Sequence, residues 1–157
     1  MNDVIISNAN SDFDKYRQAR VTIGEFYNES SQVKENHNVE PADFAKPALC
    51  WTFSLPEDKG GIAVEQLMGT ENMAIITFAG LSEESRGKGK IRELIKAANN
   101  HLLYKHGSLI VGVQLNPTDN KAVWRHLGFV ETSFVGSTEA LLMNQETAKQ
   151  YLPDGLL

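Results

Sequence analysis

The stretch MAIITFAGLSEESRGKGKIRELIKAANN, residues 73–100, decides how this chain folds. Its first seven residues, Met73–Ala79, are a short apolar run that reads as a strand. Arg86-Gly87-Lys88-Gly89-Lys90 follows, and then Ile91, Leu94, Ile95, Ala98 and Leu102 recur at helical spacing. Strand, glycine-rich turn, helix is an order that leaves free backbone N–H groups at a helix N-terminus, where an anion can sit. Glycine lets the backbone approach that anion without a Cβ in the way. Lysine and arginine add full charges to the fractional positive charge of the helix dipole. Two readings stay open on the residues alone: a solvated helix turn with surplus lysines, or a cradle for the phosphates of a cofactor.

Charge is unevenly spread around this turn. Residues 86–96 hold five basic side chains (Arg86, Lys88, Lys90, Arg92, Lys96) against Glu93, although the 157-residue chain carries a net −5. So small a basic island suits a compact anion and is too short to track a nucleic-acid backbone, which the acidic remainder would repel. A hydrophobic content of 41% and a charged content of 22% place the chain among soluble globular proteins of one domain. No run approaches the roughly 20 apolar residues of a membrane span, and residues 1–14 do not read as a signal peptide. Cys50 is the one cysteine, so no intrachain disulfide is expected and a cytoplasmic setting is the default.

Working outward, Val4–Ile6 is a short strand and Ser11 is the expected cap of a first helix. Phe13, Tyr16, Arg20, Ile23 and Tyr27 share one face of that helix. Gly24 inside it costs roughly 1 kcal/mol against alanine and marks a bend or the helix end. Residues 28–46 read as a polar loop with one short helix. From Ala48 the period is two, with Leu49, Trp51, Phe53 and Leu55 on one side, the pattern of a half-buried strand. Turns at 56–61 and 69–72 make a three-stranded antiparallel meander of 48–55, 62–68 and 73–80.

Beyond the long helix, Gly107 supplies a left-handed stop and Leu109, Val111, Val113 and Leu115 form a strand. Its crossover connection requires it to run parallel to strand 73–80. Asn116-Pro117 is the expected start of another helix, ended by Gly128. Phe129–Phe134 and Glu139–Asn144 read as a closing hairpin around Gly136-Ser137, and 145–152 as a last helix. Histidines 37, 101, 106 and 126 have no metal-ligand spacing. Cys50 reads as a buried small residue, and Ser82 and Ser85 lack a histidine partner for nucleophilic work.

Three segments in this order resemble the GNAT superfamily of N-acetyltransferases. Arg86-Gly87-Lys88-Gly89-Lys90-Ile91 lies where that family has Arg/Gln-x-x-Gly-x-Gly/Ala. Asn116 closes the following strand, and Trp124-Arg125-His126-Leu127-Gly128-Phe129 is similar to the family's Tyr-Glu-Lys-Leu-Gly-Phe-like segment. The resemblance implies an α/β (α+β) domain over 1–157: a mixed, mostly antiparallel sheet of six to seven strands with a central splayed parallel pair, flanked by about four helices. It implies acetyl-CoA, or another acyl-CoA, as the anion. The amides of Arg86, Gly87, Lys88, Gly89, Lys90 and Ile91 would then hold the pyrophosphate. The strand edge at Ala79, Gly80 and Leu81 would pair with pantetheine, with Asn116 near that arm. An amine on a small molecule or a protein would be the acyl acceptor, and the final strand could pair across a homodimer.

The segment also departs from the family pattern. Ile91 stands where glycine or alanine is usual, with its side chain in phase with the apolar face of the helix. Trp124 stands where many members carry a proton-donating tyrosine, and reads as core or pocket wall. Ile75 replaces a mid-strand glutamate, which leaves Glu65 as the nearest candidate base. Two functions are therefore carried forward: direct acyl transfer to a primary amine, and a degenerate domain that binds CoA or a protein partner without turnover.

Overall fold

A computed structural model describes residues 3–67, 72–116, 119–135 and 138–152. One seven-stranded sheet runs through the molecule: β1 (Ile5–Asn8), β2 (Cys50–Ser54), β3 (Gly60–Gln66), β4 (Met73–Leu81), β5 (Leu109–Gln114), β6 (Phe129–Val135) and β7 (Thr138–Met143). The spatial order is β1-β2-β3-β4-β5-β7-β6, and every neighbouring pair is antiparallel except β4 with β5, which is parallel as the crossover required. Four helices accompany it: α1 (Phe13–Ser31), α2 (Lys90–His106), α3 (Lys121–His126) and α4 (Gln145–Lys149). The mixed sheet and its four helices are those the resemblance implied. No helix of the described residues is long and apolar enough to cross a membrane.

α2 covers one face of the sheet. Its apolar stripe Leu94, Ile95, Ala98 and Leu102 is fully buried against Trp51, Phe53, Ile62, Val64, Ala74 and Ile76. The leucine and isoleucine side chains contribute about 1.5–3 kcal/mol each by leaving water. Buried Asn99 ties three elements, donating to the Tyr151 carbonyl at 3.0 Å and accepting from the Ile110 N–H at 2.8 Å. Gly107 closes α2 at φ 66°, the expected left-handed stop. α1 covers the opposite face, packing Ile23 and Tyr27 on Ala63 and Phe78, and Tyr16 on Cys50.

Several local expectations are corrected. The first helix is preceded by Asp12, not capped by Ser11, because Asn8 Oδ1 accepts the N–H groups of both Asn10 and Ser11 at 3.1 Å and holds that segment in a turn. β2 is buried on both faces, since α1 and α2 sandwich it. α3 starts at Lys121 under an Asn120 cap rather than at Asn116-Pro117. Asp119 N–H donates to the Asn116 carbonyl (3.0 Å) and Asn116 N–H to Asp119 Oδ2 (2.8 Å), so both residues are engaged with each other ahead of the helix. Residues 69–71, Pro117 and the Gly136-Ser137 turn lie outside the described residues.

Gly24 does not end α1, which runs on to Ser31. A Cβ there would lie 2.1 Å from His37 Cγ, so the glycine makes room for an imidazole from the following segment. His37 is thus buried rather than in a solvated loop, against Phe78 (4.8 Å between ring centroids) and 2.9 Å from Asn28 Oδ1. Burial first, then Arg20, lowers its pKa below the ordinary 6.5, against the opposing pull of Glu35 and Glu25. His101 on α2 is lowered likewise by burial and by His106 and Lys105. A histidine depressed in the folded state binds more protons when unfolded. Its stabilisation is therefore complete above pH 6.5 and lost as pH falls from there through the folded value. Urea denaturation at pH 7.5 and 5.5 should show the wild type losing more stability on acidification than His37→Gln.

Candidate functional site

The parallel ladder between β4 and β5 is short. It pairs Met73 with Leu109 and ends at Ile76 opposite Val113, leaving Thr77–Leu81 without a β5 partner. On its other edge β4 stays paired with β3, but with one extra residue: Ala63 faces Phe78 and Val64 faces Ile76, so Thr77 is bulged out. The Thr77 hydroxyl donates to the Ala63 carbonyl at 3.2 Å. A bulge bends its strand and reverses which face the following side chains take. Ile76 accordingly enters the core under α2, whereas Phe78 enters the cluster under α1.

A cavity of about 420 Å³ occupies the gap so opened. It is lined by Phe78–Leu81 of β4, Val113 and Gln114 of β5, Arg86, Gly87 and Ile91 around the start of α2, Tyr27 of α1, and Asp119 and Trp124 before and within α3. Ile91 and Trp124 belong to the cluster on the α2 face and Tyr27 to the one on the α1 face, so side chains from both faces of the sheet meet in the lining of the cavity. Gly80 makes its α1 wall possible. A Cβ there would lie 2.3 Å from the Ile23 carbonyl oxygen and 2.4 Å from the Tyr27 nitrogen, so helix backbone rests directly on the strand.

At the α2 end, Gly87 (φ 72°) and Gly89 (φ 70°) are both left-handed, and Gly89 caps the helix. A Cβ at either would meet only open space. Among the described residues the N–H groups of Gly87, Lys88 and Gly89 donate to no backbone oxygen, and the first-turn N–H groups of α2 are free by construction of a helix. Unspent donors, open concavity and local positive charge fit a pyrophosphate. Arg86 is partly spent, its Nε on the Leu81 carbonyl (3.1 Å) and its guanidinium on Glu29 (3.3 Å). Lys90 pairs with Glu93 at 3.7 Å. Of the residues read from the sequence as cofactor-binding, Ala79, Gly80, Leu81, Arg86, Gly87 and Ile91 line the cavity, while Lys88, Gly89, Lys90 and Asn116 do not. Ile91 also packs against the main core, as its spacing predicted.

Around Tyr27 lies a polar network that the sequence did not reveal. The Tyr27 hydroxyl donates to Asp119 Oδ1 at 2.8 Å and accepts from Asn116 Nδ2 at 2.6 Å. Asn116 Nδ2 also reaches Glu35 at 3.2 Å, and Asn116 N–H holds the other Asp119 oxygen at 2.8 Å. Burial pushes the Tyr27 phenol up to about 12; the Asn116 bond opposes that shift and Asp119 adds to it. Tyr27 reads in sequence only as part of an apolar stripe, and 92 positions separate it from Asp119.

The remaining candidates fall outside the cavity or form its wall. Trp124 lines it, edge-on to Phe129 with ring centroids 5.6 Å apart. Ile75 is buried in the sheet. Glu65 lies opposite Cys50 and Ile75 and does not line this cavity; burial raises its pKa and Arg20 opposes that. Burial likewise raises the Cys50 thiol to about 11, the state of an inert core residue. Ser82 and Ser85 are buried and bonded to each other at 2.8 Å.

No family model and no curated protein matches the sequence. Solved structures do match its fold. An aminoglycoside acetyltransferase from an uncultured soil metagenomic sample, solved with trehalose, has a TM-score of 0.59 at 17% identity, covering 84% of this chain and 91% of its own. The ribosomal-protein-alanine N-acetyltransferase of Brucella melitensis biovar Abortus 2308 has 0.55 at 11%, covering 85% and 97%. Tetrahymena GCN5 has 0.53 at 10%, covering 90% and 96%. The chain has the GNAT fold.

Proposed function

We propose that this chain is an N-acyltransferase of a single acyl-CoA-binding domain, which passes an acetyl group from acetyl-CoA to a primary amine by direct attack. The observation that carries the reading is one cavity beside the parted strands whose lining holds both the start of the glycine-rich turn and the hydrogen-bonded pair Tyr27 and Asp119. Acetyl-CoA supplies the activated carbonyl. The amides of residues 86–91 hold its pyrophosphate, and the unpaired edge at Ala79, Gly80 and Leu81 takes the pantetheine amides. Leu81 offers fewer acceptors than its neighbours, since its carbonyl already serves Arg86. Asn116 acts from behind the wall, through Tyr27. The chain's share of the chemistry is chiefly positioning, which can supply about 7–11 kcal/mol of a barrier.

The acceptor is an amine on a small molecule or a protein, and the setting is cytoplasmic. The final strand of the chain, β7, is paired on both sides by β5 and β6 and has no free edge, so a homodimer would form instead on edge strand β6, where Val130 and Phe134 are exposed. A second reading, CoA binding without turnover, draws on Trp124, whose indole is too weak an acid to protonate a thiolate, and on Ile75. Thermal denaturation with acetyl-CoA, then thiol release over a panel of amines, separates them. At 100 times Kd, binding should stabilise by about 2.7 kcal/mol, and Tm rises by about 2–4 °C per kcal/mol in a chain of this size. No shift at millimolar acetyl-CoA would overturn both readings. A shift with no thiol released on any amine would favour binding alone.

A further inference from the structure

Acyl transfer to an amine moves two protons: the attacking nitrogen sheds one and the departing sulfur takes one. The side chains lining the cavity leave few candidates for either task. The hydroxyls of Ser30 and Ser31 are spent on the Tyr27 carbonyl, at 3.2 and 2.6 Å. Arg86 is held by Leu81 and Glu29. Asn120 caps α3, and Gln114, like Asn120, does not titrate. What remains among the described lining residues is Tyr27 and Asp119, already hydrogen-bonded to each other.

We propose that Tyr27 and Asp119 are the proton-handling pair of this cavity, Asp119 taking the proton shed by the nitrogen and the Tyr27 phenol giving its own to the sulfur. The proposal rests on the acyl-CoA reading above. The amine arrives neutral, having lost its first proton to solvent. As the C–N bond forms, the nitrogen's second proton passes to Asp119. As the C–S bond breaks with its electron pair on sulfur, the phenol proton goes to that sulfur. Asp119 then returns its proton across 2.8 Å to the phenolate, and both groups regain their starting states.

The network suits this sequence of events. The Asp119 charge and hydrogen bond help hold the phenol proton in place at rest. Once Asp119 is protonated that restraint vanishes, so the phenol acidifies when the sulfur needs a proton. Asn116 Nδ2, 2.6 Å from the phenol oxygen, stabilises the phenolate as it forms. The titratable groups facing Tyr27 are Asp119 from the turn before α3, and Glu35 and His37 from the segment after α1, Glu35 through Asn116 and His37 by an edge-on ring contact at 6.1 Å. Arg86, paired with Glu29 on the same helix as Tyr27, lines the same cavity.

The test uses CoA itself, whose free thiol stands where the departing sulfur would be. Purified full-length wild type, Tyr27→Phe and Asp119→Asn are each saturated with CoA, with binding read by thermal shift. The bound thiol is then titrated by its alkylation rate with iodoacetamide between pH 6 and 10. Tyr27→Phe should keep the shift but lower the thiolate fraction near pH 7.5 about tenfold, since the donor is lost and Asp119 stays charged. Asp119→Asn should move the titration the opposite way. Coincident thiol titrations in all three proteins would overturn the pair and leave CoA binding standing. A folded Tyr27→Phe that no longer binds CoA would overturn it as well, making the phenol a binding contact. No shift in the wild type would remove the acyl-CoA reading and the pair together.

Discussion

Gly89→Glu should abolish the acetyl-CoA thermal shift while leaving a folded protein. The position is the left-handed cap of α2, with nothing within 4 Å of where its Cβ would stand. A Cβ there therefore meets no protein atom, and the new side chain stands on the turn whose amides would hold the pyrophosphate. Its carboxylate sets like charge against the anion at the end of the helix where positive charge is needed. The φ of 70° adds a conformational cost of order 1–2 kcal/mol for a residue with a Cβ. Gly89→Asn separates the two effects, because asparagine tolerates this region of backbone space and carries no charge. If Asn retains most of the shift and Glu none, charge at the cradle is responsible. An undiminished shift in Gly89→Glu would place the phosphates elsewhere.

Gly80→Val should be the most destabilising single change in the cavity wall. Its Cβ would stand 2.3 Å from one α1 backbone atom and 2.4 Å from another, and backbone cannot rotate aside as a side chain can. Overpacking typically costs about 1–3 kcal/mol, and more where the obstacle is rigid. Relief requires α1 to lift off β4, carrying Tyr27 away from Asp119. Urea denaturation should show the loss at once. Gly80→Ala, at the same Cβ but with less bulk, should fall between wild type and valine. A valine variant as stable as wild type would mean that α1 can shift without penalty.

How much of this was legible in the sequence depends on the range of the cause. The turn at 86–90, the helix after it and the left-handed stop at Gly107 are local, set by glycine, charge and a 3.6 period, and all were readable. The parallel direction of β5 followed from the helical crossover that leads to it. Thr77 was unreadable as a bulge, because the apolar run 73–79 looks the same with or without an extra residue against β3. The reason for Gly24 was hidden in a like way: it is His37, brought back by the following segment. Asn116 drew attention as the end of a strand, yet its side chain acts on Tyr27, 89 positions earlier. Hydrogen bonds across such distances leave no periodic trace. A tyrosine in an apolar stripe looks the same whether its hydroxyl meets water or a carboxylate.

The short ladder between β4 and β5 also has a mechanical meaning. Four paired positions, Met73 to Ile76 against Leu109 to Val113, are the strand-to-strand joint between two leaves of the sheet. One leaf is β1–β4 and the other is β5, β7 and β6. Past that joint the leaves spread like an open hinge. A guest lying in the opening and bonded to both would work as a clasp, and its departure would let them breathe. The same shortfall of pairing that gives the molecule an interior also makes that interior the seam along which it can flex.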